Sequence, residues 1–293
     1  MNEASARTLI LGLATGMPEA QLRPFFLSLE KSGYRGDVCL LVKDLDRAAL
    51  GFLRARRVNL VPFRNAYLRP KWIRCADAVA WFLKPAQHQR YTEEAAVAFL
   101  HPLGARFVSF RSYLGICCTA YDHVMLADIR DVLFQRDPFA FTIPDGLCVF
   151  MEDAGKTIAT CHSNSEWMRL GFGKRAVRKL GGEKISCCGT VIGTTAAIGD
   201  YLERMGRILY AAKSRKSIDQ AAHNWLIHRQ PPPALHRFDN ESGPVLTMHH
   251  MDAKQIHLDE SGRVVNRAGQ VVNTLHQYDR HPELARKLLA KLD

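Results

Sequence analysis

The first 63 residues alternate between apolar strands and amphipathic helices, and this alternation constrains the fold more than any other feature. Apolar runs at 8–15, 37–42 and 58–63 predict buried strands. Between them, the segments 17–33 and 44–57 carry apolar residues at helical spacing. A βαβαβ order predicts an α/β fold with a mostly parallel central sheet flanked by helices. Ligands of such sheets bind beyond the carboxyl ends of the strands.

Length and composition fit one domain of this kind. The chain has 293 residues, of which 47% are hydrophobic and 24% are charged, as in an ordinary globular enzyme. It contains no linker rich in Pro, Gly or Ser, no internal repeat and no low-complexity tract. We therefore expect a single domain over residues 1–293.

The net charge of +11 favours anionic partners such as nucleotide phosphates, anionic glycans, nucleic acids or an acidic membrane surface. The basic residues form several short clusters, which solvated helix faces would explain equally well. None of these clusters alternates with aromatic residues as a groove for single-stranded nucleic acid would. Nucleic acid is therefore not the expected partner.

Eight cysteines occur without any C-x-x-C repeat, so no structural zinc site is expected. Several lie in apolar runs, which is typical of reduced, buried thiols in a cytoplasmic protein. The apolar run at 9–13 is much shorter than a membrane span of about 20 residues. We expect a soluble cytoplasmic protein whose positive charge could also hold it at the inner face of an anionic membrane.

Two aspartates follow the clearest later strand. The strand predicted over 121–127 leads directly into Asp128 and Asp131. Hard divalent cations take oxygen ligands and usually keep positions open for phosphate oxygens and water. A carboxylate pair at the carboxyl end of a strand is therefore a candidate metal site, where a cation would neutralise charge on a leaving nucleotide. The simpler alternative is that an aspartate here caps the following turn.

The residues around this turn resemble a known family. Segment 124–139 combines an apolar strand, an acidic motif and an apolar stretch that closes with Asp137-Pro138-Phe139. It resembles the Asp-x-Asp segment of nucleotide-sugar-dependent glycosyltransferases of the GT-A fold, in particular the group of glycogenin and the bacterial lipopolysaccharide galactosyltransferases. Two residues separate the acids here, and Arg130 is one of them, so either Asp128 or Asp131 could be the direct metal ligand.

Three later segments resemble the same family in the expected chain order. Segment 186–193 is similar to the strand that passes beneath the donor sugar. Asp219-Gln220 resembles the pair near the anomeric carbon of members that retain configuration, and His276 lies where such enzymes place a third metal ligand. The resemblance covers about residues 8–282 and implies a GT-A-like, Rossmann-like fold.

The resemblance also implies roles for these residues. Asp128, Asp131 and His276 would hold Mn²⁺ or Mg²⁺, and Asp219 would orient a sugar hydroxyl or stabilise an oxocarbenium-like centre. Gln220 would supply a neutral dipole on the same face. The donor would occupy the first half of the domain, about 7–140, and the acceptor and catalytic groups the second half, about 141–293.

Further residues are candidates for contacts with the donor. Thr15 and Gly16, at the turn after the first strand, would admit the base or ribose of a nucleoside-diphosphate sugar of the UDP or GDP type. Arg111, in a helix before the acidic strand, would approach a phosphate, although a surface ion pair explains it equally well. Gly189 and Asp128 would complete the donor site.

Two places where strands end could contribute acceptor contacts, although ordinary structural roles are the simpler explanation for both. They are Glu152-Asp153, after the strand 146–151, and His249-His250 with Asp252. The acceptor itself would be a glycan or a glycolipid.

The sequence therefore predicts a metal-dependent glycosyltransferase. A nucleotidyltransferase also uses paired carboxylates and metal, but the turn at 11–16 lacks the basic, glycine-rich loop that such an enzyme usually has. A non-enzymatic polyanion-binding protein is the third interpretation, because binding to polyanions would by itself explain the positive net charge.

Overall fold

A computed structural model describes residues 6–65, 97, 100–117, 119–214 and 216–292. Cys75, Cys118 and Arg215 lie outside these residues. The strands are β1 (Thr8–Thr15), β2 (Asp37–Lys43), β3 (Asn59–Pro62), β4 (His123–Asp128), β5 (Val132–Phe134), β6 (Leu147–Met151), β7 (Ser186–Thr194), β8 (Leu235–Phe238), β9 (Val245–Thr247), β10 (His257–Leu258), β11 (Val264–Val265) and β12 (Thr274–His276). The α-helices are α1 (Glu19–Lys31), α2 (Arg47–Ala55), α3 (Pro102–Cys117), α4 (His162–Phe172), α5 (Lys174–Leu180), α6 (Thr195–Ala211), α7 (Asp219–Arg229) and α8 (Pro282–Leu289).

In the described residues, the central sheet has seven strands in the order β3-β2-β1-β4-β7-β6-β8. Strand β7 is antiparallel to both of its neighbours, and all other neighbouring strands pair in parallel. This confirms the prediction of an α/β fold with a mostly parallel sheet. Because β4 and β6 run the same way, the residues that follow them emerge at one edge of the sheet.

Helices cover both faces of this sheet, which explains why its strands are continuous apolar runs. Along β1, Leu9 and Leu11 face the layer formed by α3 to α7, whereas Ile10 faces α1 and α2. All three side chains are at most 1% exposed. The central strands are therefore buried on two sides and hold the edge of the sheet in place.

A second, three-stranded sheet lies beside the end of β4. Its order is β5-β12-β9, with β12 antiparallel to β5 and parallel to β9. A separate apolar core, which includes Leu275 and Tyr278, packs α8 against this sheet. This arrangement brings the later part of the chain back to the turn from Asp128 to Asp131, which we call the acidic turn.

The predicted elements agree with the structure except near their ends. The helix expected over 44–57 spans Arg47–Ala55, because the Asp46 side chain caps it by accepting from Ala49 N at 2.7 Å. The strand expected over 146–151 begins at Leu147. No described helix is long and apolar enough to cross a membrane.

Candidate metal centre

Asp128, Asp131 and His276 come together at the carboxyl edge of β4. His276 Nε2 lies 3.9 Å from Asp128 Oδ2 and 3.7 Å from Asp131 Oδ1. One possible ligand atom from each residue lies within 4.8 Å of the other two. The structure thus groups the three residues that the sequence suggested as metal ligands.

Two short strands create this meeting point. Asp128 ends β4, and the chain turns at once into β5, which pairs with β12 so that His276 lies opposite Val132. Gln277 N then donates to the carbonyl of Asp131 at 2.7 Å. The backbone therefore fixes the imidazole against the acidic turn independently of any contact between the side chains.

The donor set fits a divalent cation. His276 is fully buried, and neither ring nitrogen has a hydrogen-bond partner among the described residues. Such orphan polar atoms are costly inside a protein, and a metal would satisfy one of them. Burial raises the pKa of the Asp131 carboxyl, while His276 acts in the opposite direction. Two carboxylates and one imidazole suit Mn²⁺ or Mg²⁺, with positions left for further oxygens.

Gly189, on β7, passes directly beneath this cluster. A Cβ atom built at this position would lie 2.4 Å from His276 Cε1 and 2.6 Å from Asp128 Oδ2. Real side chains do not approach so closely, so any residue other than glycine would enter the space of the cluster. The glycine that the sequence placed beneath the donor therefore lies against the candidate metal ligands.

Replacing Gly189 by alanine is expected to displace His276 and Asp128 and to weaken Mn²⁺ binding by roughly tenfold or more. The matched control is Gly199→Ala, because a Cβ at Gly199 would meet no atom within 4 Å. Isothermal titration with MnCl₂ compares the two variants with the wild type. Equal affinities in all three would contradict the expectation.

Arg106, on α3, is a functional candidate that the sequence analysis did not identify. Its guanidinium is bonded to Asp128 through Nη1 and to Asp219 Oδ2 through Nη2, the latter at 3.3 Å. The side chain is only 6% exposed. Burial would lower the pKa of Arg106, but Asp128 and Asp219 outweigh it and raise this pKa above its usual value. The cation therefore stays charged and links the candidate metal centre to α7.

The sequence contains one signal that points to Arg106. It interrupts an otherwise apolar stretch, Leu103 to Val108, on a helix whose residues 104–108 are all buried. A buried arginine is rare unless it is paired with acids. Arg111, a candidate for contact with a phosphate, donates to Glu203 Oε2 on α6 at 2.9 Å, which is the ion pair that the sequence allows as its alternative.

Asp219 and Gln220 lie at the start of α7 but have different surroundings. Asp219 is 6% exposed, and besides Arg106 it accepts from Ser217 Oγ at 3.2 Å. Both ends of the Gln220 amide are used by β7, because Nε2 donates to Ser186 O at 2.7 Å and Cys188 N donates to Oε1 at 2.9 Å. Gln220 thus holds the strand that carries Gly189.

Polar side chains farther along α7 also hold β7. Asn224 bonds both the amide and the carbonyl of Ser186, and His223 Nε2 lies 2.9 Å from Ser186 Oγ. Burial lowers the pKa of His223 to about 3, so this ring is neutral at physiological pH. Strand β7, which forms the floor of the site beneath the metal ligands, is therefore fixed by hydrogen bonds as well as by apolar packing.

The remaining donor candidates lie where β1 ends. Thr15 is the last residue of that strand, and Gly16 adopts a φ of 60°, in the left-handed region that favours glycine. Gly16 N donates to Lys43 O at 2.9 Å, which ties the turn to the end of β2. Since β1 and β4 are parallel neighbours, this turn lies at the same edge of the sheet as Asp128.

The two acceptor candidates are brought together by the fold. Glu152 follows β6, and its Oε2 lies 3.3 Å from His250 Nε2, which follows β9. Burial raises the pKa of Glu152 to about 7, and a hydrogen bond from Cys187 offsets this only in part. Burial, together with His249, lowers the pKa of His250 to about 4. Glu152 also lines a cavity of about 100 Å³ next to the sheet edge.

Replacing Glu152 by glutamine is expected to stabilise the protein above pH 7, by up to about 3 kcal/mol. The folded pKa is about 7 against an ordinary 4.5, so the unfolded chain releases its proton first. Wild-type stability therefore falls as pH rises from about 4.5 to 7, and the variant lacks this loss. Urea unfolding at pH 4.5 and pH 8 measures the difference. A stability gain that is the same at both pH values would contradict this account.

The chain matches no protein-family model, and no curated protein matches it. What the site can do chemically therefore follows from its own residues. They offer a cation site of two carboxylates and an imidazole, a buried arginine beside it and a third carboxylate, Asp219, held by that arginine. All of these groups lie at the sheet edge where an open α/β fold binds its ligands.

Proposed function

We propose that this protein is a metal-dependent glycosyltransferase with a GT-A-like domain. It would transfer a sugar from a nucleoside-diphosphate sugar to a glycan or glycolipid acceptor. The observation that carries the proposal is the joining of the Asp128-x-x-Asp131 turn to His276, a fully buried imidazole with no hydrogen-bond partner in the part of the chain that the structure describes. The mostly parallel sheet and the order of the motifs along the chain support the same assignment.

In this proposal Asp128, Asp131 and His276 hold Mn²⁺ or Mg²⁺. The cation would act as a Lewis acid that neutralises charge on the diphosphate leaving group. Gly189 would let these ligands sit against β7, because a Cβ at this position would lie 2.4 Å from His276 Cε1.

Arg106 and Asp219 would act on the sugar side of this centre. Asp219 would orient a hydroxyl of the donor sugar or stabilise positive charge at its anomeric carbon. Arg106 would hold Asp219 in place, since its Nη2 donates to Asp219 Oδ2 at 3.3 Å. Gln220 would position the floor of the site through β7 rather than contact substrate, because both ends of its amide are occupied.

Thr15 and Gly16 would contact the base or ribose of a UDP- or GDP-type donor. Their turn and Asp128 emerge from adjacent parallel strands, so a nucleotide at the turn could extend its diphosphate to the cluster. Arg111 takes no part in this scheme, because its ion pair with Glu203 accounts for its position.

A thermal-shift screen of nucleoside diphosphates and their sugars, each with and without Mn²⁺, tests the proposal. Binding to the native state raises its stability by mass action, by about 2.7 kcal/mol at a ligand concentration of 100 Kd. A shift with one nucleotide that requires Mn²⁺ and is absent in Asp131→Ala is expected. A folded protein that responds to none of the nucleotides would argue against glycosyl transfer and favour the polyanion-binding alternative.

A further inference from the structure

A dense group of exposed cations lies on α5 and on the loop before α7. We define the basic patch as Lys174, Arg175, Arg178, Lys179, Lys213 and Lys216. All six side chains are exposed. Helix α5 contains no acidic residue, and in the described part of the chain none of the six forms an ion pair. The nearest acid on α4, Glu166, is already paired with Arg169 at 2.6 Å.

The basic patch is a single surface because α5 and the loop are packed together. Lys213 N donates to Gly171 O at 3.0 Å, and Lys213 Nζ would lie 3.3 Å from a Cβ at Gly173. Gly171 in turn packs against Ile218, the residue before α7. On the other side of α5, Ala176 and Leu180 are buried in the apolar core. The helix is thus anchored by one face and presents only cations on the other.

The chain topology places this surface at the edge that carries the candidate site. The segment 152–185, which contains α4 and α5, leaves the carboxyl end of β6 and returns to the start of the antiparallel strand β7. Both points lie at the edge where β4 delivers Asp128. The loop with Lys213 and Lys216 leads directly into Asp219. A partner bound to the basic patch would therefore lie at the same edge of the sheet as the site.

We propose that the basic patch docks the protein on an anionic lipid surface. Clusters of four to eight Lys and Arg on an amphipathic helix are typical of binding to anionic headgroups, and each cation near the surface strengthens binding about fivefold. Single-stranded nucleic acid is less suited, because no aromatic side chain is found among the large hydrophobic residues exposed in the described chain. Docking in this way deepens the proposed function by presenting the site to an acceptor carried in the membrane.

Co-sedimentation with vesicles tests the docking without any need for catalysis. The full chain is mixed with vesicles of phosphatidylcholine alone or with 30% phosphatidylglycerol, in low salt. At least tenfold stronger binding to the anionic vesicles is expected, with a decrease as salt rises. Equal binding to both vesicle types would overturn the proposal. So would tighter binding to a single- or double-stranded oligonucleotide than to the anionic vesicles.

Two quadruple variants distinguish binding through the basic patch from an effect of net charge alone. The first, K174Q/R175Q/R178Q/K179Q, is expected to lose at least tenfold in binding to the anionic vesicles. The second, R35Q/R47Q/R54Q/R57Q, removes the same charge from the side of the sheet that carries α1 and α2. Its binding to the anionic vesicles is expected to weaken less than threefold. Equal losses would overturn the proposal. The Mn²⁺-dependent nucleotide shift should be unchanged in the first variant, so docking and donor binding can fail independently.

Discussion

Replacing His276 by alanine is expected to lower the affinity for Mn²⁺ by at least about 100-fold. Even the loss of a residue that only supports a metal ligand lowers metal affinity by about 10- to 100-fold. The imidazole is the one nitrogen ligand of the three and lies on β12, whereas the carboxylates lie at the end of β4 and in the turn after it. Its loss would leave an acidic turn that binds cations no better than many exposed aspartate pairs. Isothermal titration with MnCl₂ measures the effect.

The control for this variant is His281→Ala. His281 lies close in sequence but uses Nε2 to contact the carbonyl of Met248 at 2.9 Å, and it is not part of the cluster. Its Mn²⁺ affinity should equal that of the wild type. If His276→Ala bound Mn²⁺ as tightly as His281→Ala, the imidazole would not be a ligand.

Replacing Arg106 by methionine is expected to destabilise the protein by about 3–5 kcal/mol, the usual cost of leaving a buried charge without its partner. Asp219 is only 6% exposed, and among the described residues Arg106 is the one cation that forms an ion pair with it. Methionine preserves most of the volume of the side chain, so the loss reports mainly on charge. Urea unfolding at neutral pH gives the difference in free energy.

The same helix offers a matched control, Arg111→Met. The Arg111–Glu203 pair is about one-third exposed on both sides, and such surface pairs contribute less than about 1 kcal/mol. The double variant Arg106→Met with Asp219→Asn should recover part of the lost stability, because it removes both charges. Equal stability losses for the two single variants would show that Arg106 does not hold a buried acid.

Local patterns in the sequence predict the central sheet and one side of the candidate site. Long apolar runs identify strands such as β1, and the position of Asp128 directly after one such run places it at the sheet edge. The resemblance to glycosyltransferases pointed to His276. Periodicity alone could not, because β5 and β12 have three residues each and their pairing joins distant parts of the chain.

Arg106 shows a second limit of local patterns. Helical spacing identifies the buried face of α3, but the partners of a charge on that face lie on β4 and α7. The direction of β7 is a third case, since an apolar run does not reveal whether it runs parallel or antiparallel to its neighbour. Gln220 likewise resembles a catalytic residue in sequence, whereas its bonds to β7 become visible only in three dimensions.

The position of β12 has a consequence for synthesis on the ribosome. Strands β1 to β4 can pair while later residues are still being added, since domains form from the N-terminus onward at about 5–20 residues per second. The imidazole of His276 reaches the acidic turn only after β12 has been made and has paired with β5. Tight Mn²⁺ binding by a nascent chain would therefore report that its last sheet has closed.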